Sequence, residues 1–210
     1  MERHRYVAIE GPIGAGKTSL ARRLAARMGA ELILEQPGEN PFLARFYQNM
    51  ARYALQTQLF FLFQRARQLE PLAQRDLFQG ATVADFLIDK DPLFASLTLS
   101  ADELALYQRV YEALRPQAPP PDLVIYLQAP TETLIERVRR RAAPFERGID
   151  EAYLALLAES YARFFYHYGA APLLIVNSQS LNFVERDADF ELLVERVRGM
   201  RSRREYFSVG

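Results

Sequence analysis

The 210 residues include 26 basic and 26 acidic side chains, so the formal charge is zero, and half of the residues are hydrophobic. That balance gives no electrostatic reason to expect nucleic acid or an anionic membrane as a main partner, and the length suits one domain. With no cysteine and only two histidines, His4 and His167, the composition excludes disulfides and thiol catalysis and leaves no basis for a Cys or His metal centre.

In chain order, the apolar segment Tyr6-Val7-Ala8-Ile9-Glu10 predicts a short buried strand. It begins too early to leave room for a signal peptide, and no apolar run approaches the ~20 residues of a spanning helix, so a cytoplasmic protein is expected. A glycine-rich turn follows, then a helix to about Met28. Residues 31–35 predict a second strand, closed by Pro37 and Gly38. Two helices are expected over 41–46 and from Arg52 to about Leu77, the second rich in aromatics and leucine. Residues 81–85 predict a third strand, and helical pattern resumes over 92–114 with a break near Ser100. After the prolines of 116–121 come a strand over 123–127, a helix over 131–141, an irregular stretch to Gly148 and a helix over 150–168. A last strand over 173–176 leads to a helix ending near Val197. Strands alternating with helices predict a three-layer α/β/α fold with a five-stranded parallel sheet over residues 1–198. The arginine-containing tail, 199–210, reads as a mobile charged end.

The strongest motif is Gly11-Pro12-Ile13-Gly14-Ala15-Gly16-Lys17-Thr18, which fits G-x-x-x-x-G-K-[ST] between a strand and a helix. Its glycines let backbone amides close around a phosphate, and the following helix offers its positive end to the same anion. Lys17 is placed to reach the outer phosphates and Thr18 to ligate magnesium. The motif implies nucleotide binding without separating kinases from other ATPases or GTPases, although no guanine-reading N-K-x-D segment occurs. Ligands of such sheets bind beyond the carboxyl ends of the strands. Glu35 and Asp85 end the second and third strands, so both are expected beside the phosphate loop. Glu35 is the candidate base for an attacking hydroxyl, and Asp85 the candidate organiser of magnesium. Further on, Arg137-Val138-Arg139-Arg140-Arg141 closes a helix before a pattern break, as a phosphate-covering lid over about 137–149 would. Arg137 and Arg141 share a helix face, whereas Arg139 and Arg140 read as solvated.

From Tyr6 to about Phe190 these segments resemble the deoxyribonucleoside kinase family, especially its bacterial deoxyadenosine and deoxyguanosine kinase-like members. The resemblance implies an ATP- and Mg2+-dependent kinase acting on the 5′-hydroxyl of a deoxyribonucleoside, purines favoured, and commonly a homodimer that pairs long helices, for which 52–77 offers a face. Leu34-Glu35-Gln36-Pro37 looks like the family's Glu-Pro segment with one residue inserted, which implies Glu35 as base. Ala54-Leu55-Gln56-Thr57-Gln58 looks like its aromatic-Gln segment, with the match on Gln56 as reader of the base edge. By the same resemblance Tyr47 holds the sugar 3′-hydroxyl, Phe94 stacks on the base, Arg137 and Arg141 are lid arginines, and Glu146 lies near the sugar. The chain departs from the pattern at Asp85-Phe86-Leu87, where the family has an acid followed by Arg-Ser; Lys90 is the candidate replacement charge. Ala143 stands for a third lid arginine, and the tryptophan often found after the Glu-Pro segment is absent. The rival readings are a nucleoside monophosphate kinase and a nucleotide-binding regulator or assembly ATPase.

Overall fold

The computed structural model describes residues 4–73, 80–114, 120–184 and 186–208. In chain order the elements are β1 (Tyr6–Glu10), α1 (Lys17–Met28), β2 (Glu31–Ile33), α2 (Leu43–Gln48), α3 (Met50–Ala73), β3 (Thr82–Ala84), α4 (Asp91–Thr98), α5 (Ala101–Leu114), β4 (Leu123–Gln128), α6 (Thr131–Arg141), α7 (Glu151–His167), β5 (Leu173–Asn177), α8 (Asp187–Gly199) and β6 (Arg204–Phe207). All strands run parallel in the order β2-β3-β1-β4-β5-β6.

Because side chains alternate across a strand, the sheet sends two sets of apolar residues into two cores. Ala8, Val124 and Tyr126 pack with α2, α3 and α7 on one face. Val7, Ile9, Ile125 and Leu127 pack with α1, α6 and α8 on the other. These strands are buried on both faces, which is why they read as continuous apolar runs. Between α4 and α5 the expected break is a capping box: the Ser100 N–H and hydroxyl both donate to Glu103 Oε2, at 3.0 and 2.9 Å.

The sheet has six strands, one more than expected, because residues 204–207 of the supposed tail pair with β5 in the register Leu173↔Arg204 to Val176↔Phe207. Phe207 packs against the α1/α8 core, Glu205 pairs with Arg196 at 2.8 Å, and Arg203 donates to the Gly169 carbonyl at 3.0 Å. Of the arginines that suggested a solvated run, Arg203 and Arg204 are held at the sheet edge by backbone carbonyls, while Arg201 stays exposed. Nor is α3 a free aromatic face: Ala54, Leu62, Leu69 and Leu72 bury it among α2, α4 and α5, leaving Phe63 as its exposed large hydrophobic residue among those described. Residues 74–77 of the expected helix and 116–119 of the proline joint lie outside the described residues.

Candidate active site

The site forms where β1, β2 and β3 end. Gly14 in the phosphate loop has φ 88°, and a Cβ there would stand 2.7 Å from the Leu134 carbonyl oxygen. Only glycine lets the loop lie this close to α6. Lys17 turns back over the loop, its ammonium donating to the carbonyls of Gly11 at 2.7 Å and Pro12 at 3.3 Å. Burial, with Lys90 nearby, lowers its pKa, although Glu10, Glu35 and Asp85 oppose the change.

Asp85 ties three pieces together. One carboxylate oxygen accepts from the Thr18 hydroxyl at 2.6 Å, the other from the Glu35 N–H at 2.7 Å. Burial raises the Asp85 pKa against these two hydrogen bonds. A hydroxyl and a carboxylate oxygen at the loop mouth form a hard-oxygen donor pair of the kind that holds Mg2+ together with substrate phosphates. The donor set therefore fits that ion. No cluster of three or more His, Cys, Asp or Glu suited to a metal occurs among the described residues.

Around this corner lies a cavity of about 150 Å³, lined on the catalytic side by Lys17, Thr18, Glu35, Asp85, Lys90 and Arg141. Tyr47, Gln58, Phe61, Arg65, Phe94 and Glu146 line the rest of its wall. Arg65, which sequence reasoning missed, donates through both Nε (2.8 Å) and Nη2 to Glu35 Oε1, and through Nη1 to Asp91. Burial would raise the Glu35 pKa, but Arg65, Lys90 and Lys17 outweigh it and hold the carboxyl at about 2. Lys90 is buried, 3.1 Å from Glu10 and 3.8 Å from Glu35. Glu10, at the end of β1, also accepts from the Gly11 and Leu87 N–H groups and the Tyr161 hydroxyl, each at 2.9 Å. A fully buried carboxylate is satisfied in this way by four donors.

The glutamine expected to read a base requires correction. Gln56 lies exposed on α3 and outside the cavity, whereas Gln58 is buried and lines it. Two helical residues turn the side chain about 200°, so both cannot face the same ligand. Residues 54, 58, 61 and 65 recur at helical spacing on the buried side, a pattern that would have singled out Gln58 and Arg65.

The two lid arginines also part company. Ala142, with φ 50°, ends α6 in a left-handed turn, and the chain folds back through Pro144–Glu146 so that Arg141 pairs with buried Glu146 beside the cavity. Arg137 instead donates to the Ser178 carbonyl at 2.7 Å and faces a second cavity of about 550 Å³ on the other side of the phosphate loop. That cavity is lined by Ala15, Gly16, Arg140, Arg186 and residues 179–184, and Arg141 borders it as well as the first. Phe94 stands edge-on to Tyr161, ring centroids 5.9 Å apart, and Tyr47 packs on Phe46 and Tyr153.

The deoxynucleoside kinase family profile matches residues 7–201. The chain belongs to the deoxynucleoside kinase family. Among curated relatives, the Bacillus subtilis deoxyguanosine kinase is 37% identical over 92% of this chain and 96% of its own length. A Pseudomonas putida thymidylate kinase is 31% identical over 92% of this chain and 98% of its own length. In fold, a deoxyadenosine kinase from M. mycoides solved with bound dATP superposes with a TM-score of 0.80 at 24% identity, covering 93% of this chain and 100% of that one. Membership of a deoxynucleoside kinase family sets aside the regulator or assembly-ATPase reading. No described helix is long and apolar enough to cross a membrane.

Proposed function

We propose that the chain transfers the γ-phosphate of ATP to the 5′-hydroxyl of a deoxyribonucleoside, with purines favoured. The observation that carries this reading is one cavity lined by both the phosphate-loop lysine and an anchored carboxylate just beyond β2, Glu35. The hydroxyl oxygen attacks the γ-phosphorus as its bond to the β-phosphate oxygen breaks, ADP leaves, and the hydroxyl proton passes to Glu35. A carboxylate held at about 2 is a weak base, so the proton moves late, as a loose phosphoryl-transfer transition state allows, and Glu35 acts first by orienting the hydroxyl. Lys17 and Arg141 neutralise the moving phosphoryl group. Magnesium, when bound, would be held by Thr18 and Asp85 and would offset charge on the phosphates. Gln58 takes the role expected of Gln56, since a side-chain amide offers a base edge both a donor and an acceptor. Tyr47 and Glu146 face the sugar, with Phe94 and Phe61 beside the base. The purine preference is supported by relatives named deoxyguanosine and deoxyadenosine kinases.

The thymidylate kinase relative favours a second reading, transfer to a nucleoside monophosphate. Against it, the cavity's cations are already engaged: Arg65 with Glu35 and Asp91, Lys90 with Glu10, Arg141 with Glu146. An acceptor phosphate would meet these acids. ATP consumption with magnesium against the four deoxynucleosides and their monophosphates tests both readings, with Glu35→Gln beside the parent. The expected result is nucleoside turnover that Glu35→Gln cuts to a small but measurable residual rate; turnover with monophosphates alone would overturn it. A homodimer is the expected assembly. Exposed Leu156 and Tyr166 on α7, more than α3, offer the apolar surface to bury, and a monomer by light scattering would refute it.

A further inference from the structure

We infer that Arg65 is the positioning residue for Glu35, supplying from α3 the cation that this chain lacks directly after Asp85. The inference rests on the kinase reading above and adds a role to a residue outside the motifs that suggested it. Where the family pattern has arginine, this chain has Phe86, which is fully buried in the core, so no charge enters the site from that position. Lys90, the other cation of that segment, lies nearer Glu10 than Glu35. Arg65 fills the gap with a defined geometry. Two of its nitrogens, Nε and Nη2, converge on Glu35 Oε1, while Nη1 is held by Asp91, so the guanidinium plane is fixed at both ends. Among the described residues, the contacts of the Glu35 carboxylate fall on Oε1. Oε2 is left to accept the substrate hydroxyl. A planar fork is suited to this task; an ammonium would neutralise the charge without fixing the carboxylate's orientation.

The alternative is that Arg65 only pins α3 to α4 through Asp91. A mutant cycle separates the two, using the parent, Glu35→Gln, Arg65→Ala and the double variant, with kcat and nucleoside KM measured alongside thermal stability and ATP binding. Arg65→Ala is expected to lose kcat about 100-fold, the scale of a misplaced reacting group, with a far smaller change in KM. Added guanidinium chloride at non-denaturing concentration restores part of kcat where methylammonium does not. In the Glu35→Gln background the Arg65→Ala change costs no further kcat, because Arg65 acts through Glu35. Parental kcat in Arg65→Ala, or an equal loss in both backgrounds, overturns the inference. Should Arg65→Ala fail to fold, Arg65→Lys keeps the buried charge and runs the same cycle. A parent that phosphorylates no nucleoside would instead bring down the functional reading itself, and this inference with it.

Discussion

Inside the phosphate loop, the charged groups are buried and tied to one another: Glu10 to Lys90 and Tyr161, Arg65 to Glu35 and Asp91, Asp85 to Thr18 and the Glu35 backbone. Outside it, around the second cavity, Arg140, Arg141 and Arg186 are exposed, and Arg137 is held by a single loop through Ser178. The inner side is organised before any ligand arrives, which suits a group that must orient one hydroxyl. The outer side offers positive charge that a ligand can gather around itself, which suits an anion brought by a small molecule. Buried charges hold their geometry because each would be costly to leave unpaired; exposed ones are screened and free to rearrange.

Three measurements break or sharpen that contrast. The largest expected effect is at Gln58: Gln58→Leu should lower kcat/KM for the deoxynucleoside by about 1–3 kcal/mol of transition-state binding, whereas Gln56→Leu should leave it near the parental value. Steady-state kinetics with one nucleoside varied would expose equal effects, and these would put the base elsewhere.

Next is Asp91. Burial pushes its pKa up to about 6 despite Arg65 and Lys90. The folded protein therefore keeps a proton that the unfolded chain releases, and the contribution of Asp91 to stability falls as pH rises from about 4 to about 6. Asp91→Asn removes that slope. The stability difference, parent minus variant, should decline by on the order of 2 kcal/mol across this window in urea titrations. Taking the difference cancels the opposite slope of Glu35, whose depressed pKa makes its contribution fade as pH drops below about 4. A flat difference would mean that Asp91 is not held protonated inside.

The smallest effect is on the outer side. Arg137→Ala should raise the KM for ATP by up to about tenfold, the loss of one charge-assisted contact, with the nucleoside KM unchanged. A change in the nucleoside KM instead would show that the two sides are not separate.

Features fixed by local sequence were legible in advance. The phosphate loop is contiguous, and an acid follows closely on each of β2 and β3, so Lys17, Thr18, Glu35 and Asp85 could be placed at one crevice from the sequence alone. What escaped depends on rotation or on distant partners. The choice between Gln56 and Gln58 turns on which face of α3 is inside, and a two-residue error reverses it. Arg65 meets Glu35 and Asp91 across 30 and 26 residues of chain, and nothing beside it in sequence advertises either contact. Arg137 and Arg141 share a helix face, yet Arg137 lines the second cavity alone, whereas Arg141, the last residue of α6, borders both. β6 was hidden by its arginines, whose partners Tyr168 and Gly169 lie in the loop before β5.

The position of β1 bears on how the chain is made. All five of its residues are buried, between β3, which begins at Thr82, and β4, which begins at Leu123. During synthesis this strand emerges well before either neighbour exists, so the sheet cannot assemble outward from its own centre as the ribosome advances. The nascent chain must carry this strand unpaired until β3 is made, about a third of the chain later, an interval in which such segments are exposed to wrong partners. The same central placement lets the phosphate loop sit at the heart of the site, with its strand flanked on both sides only once β3 and β4 have been made.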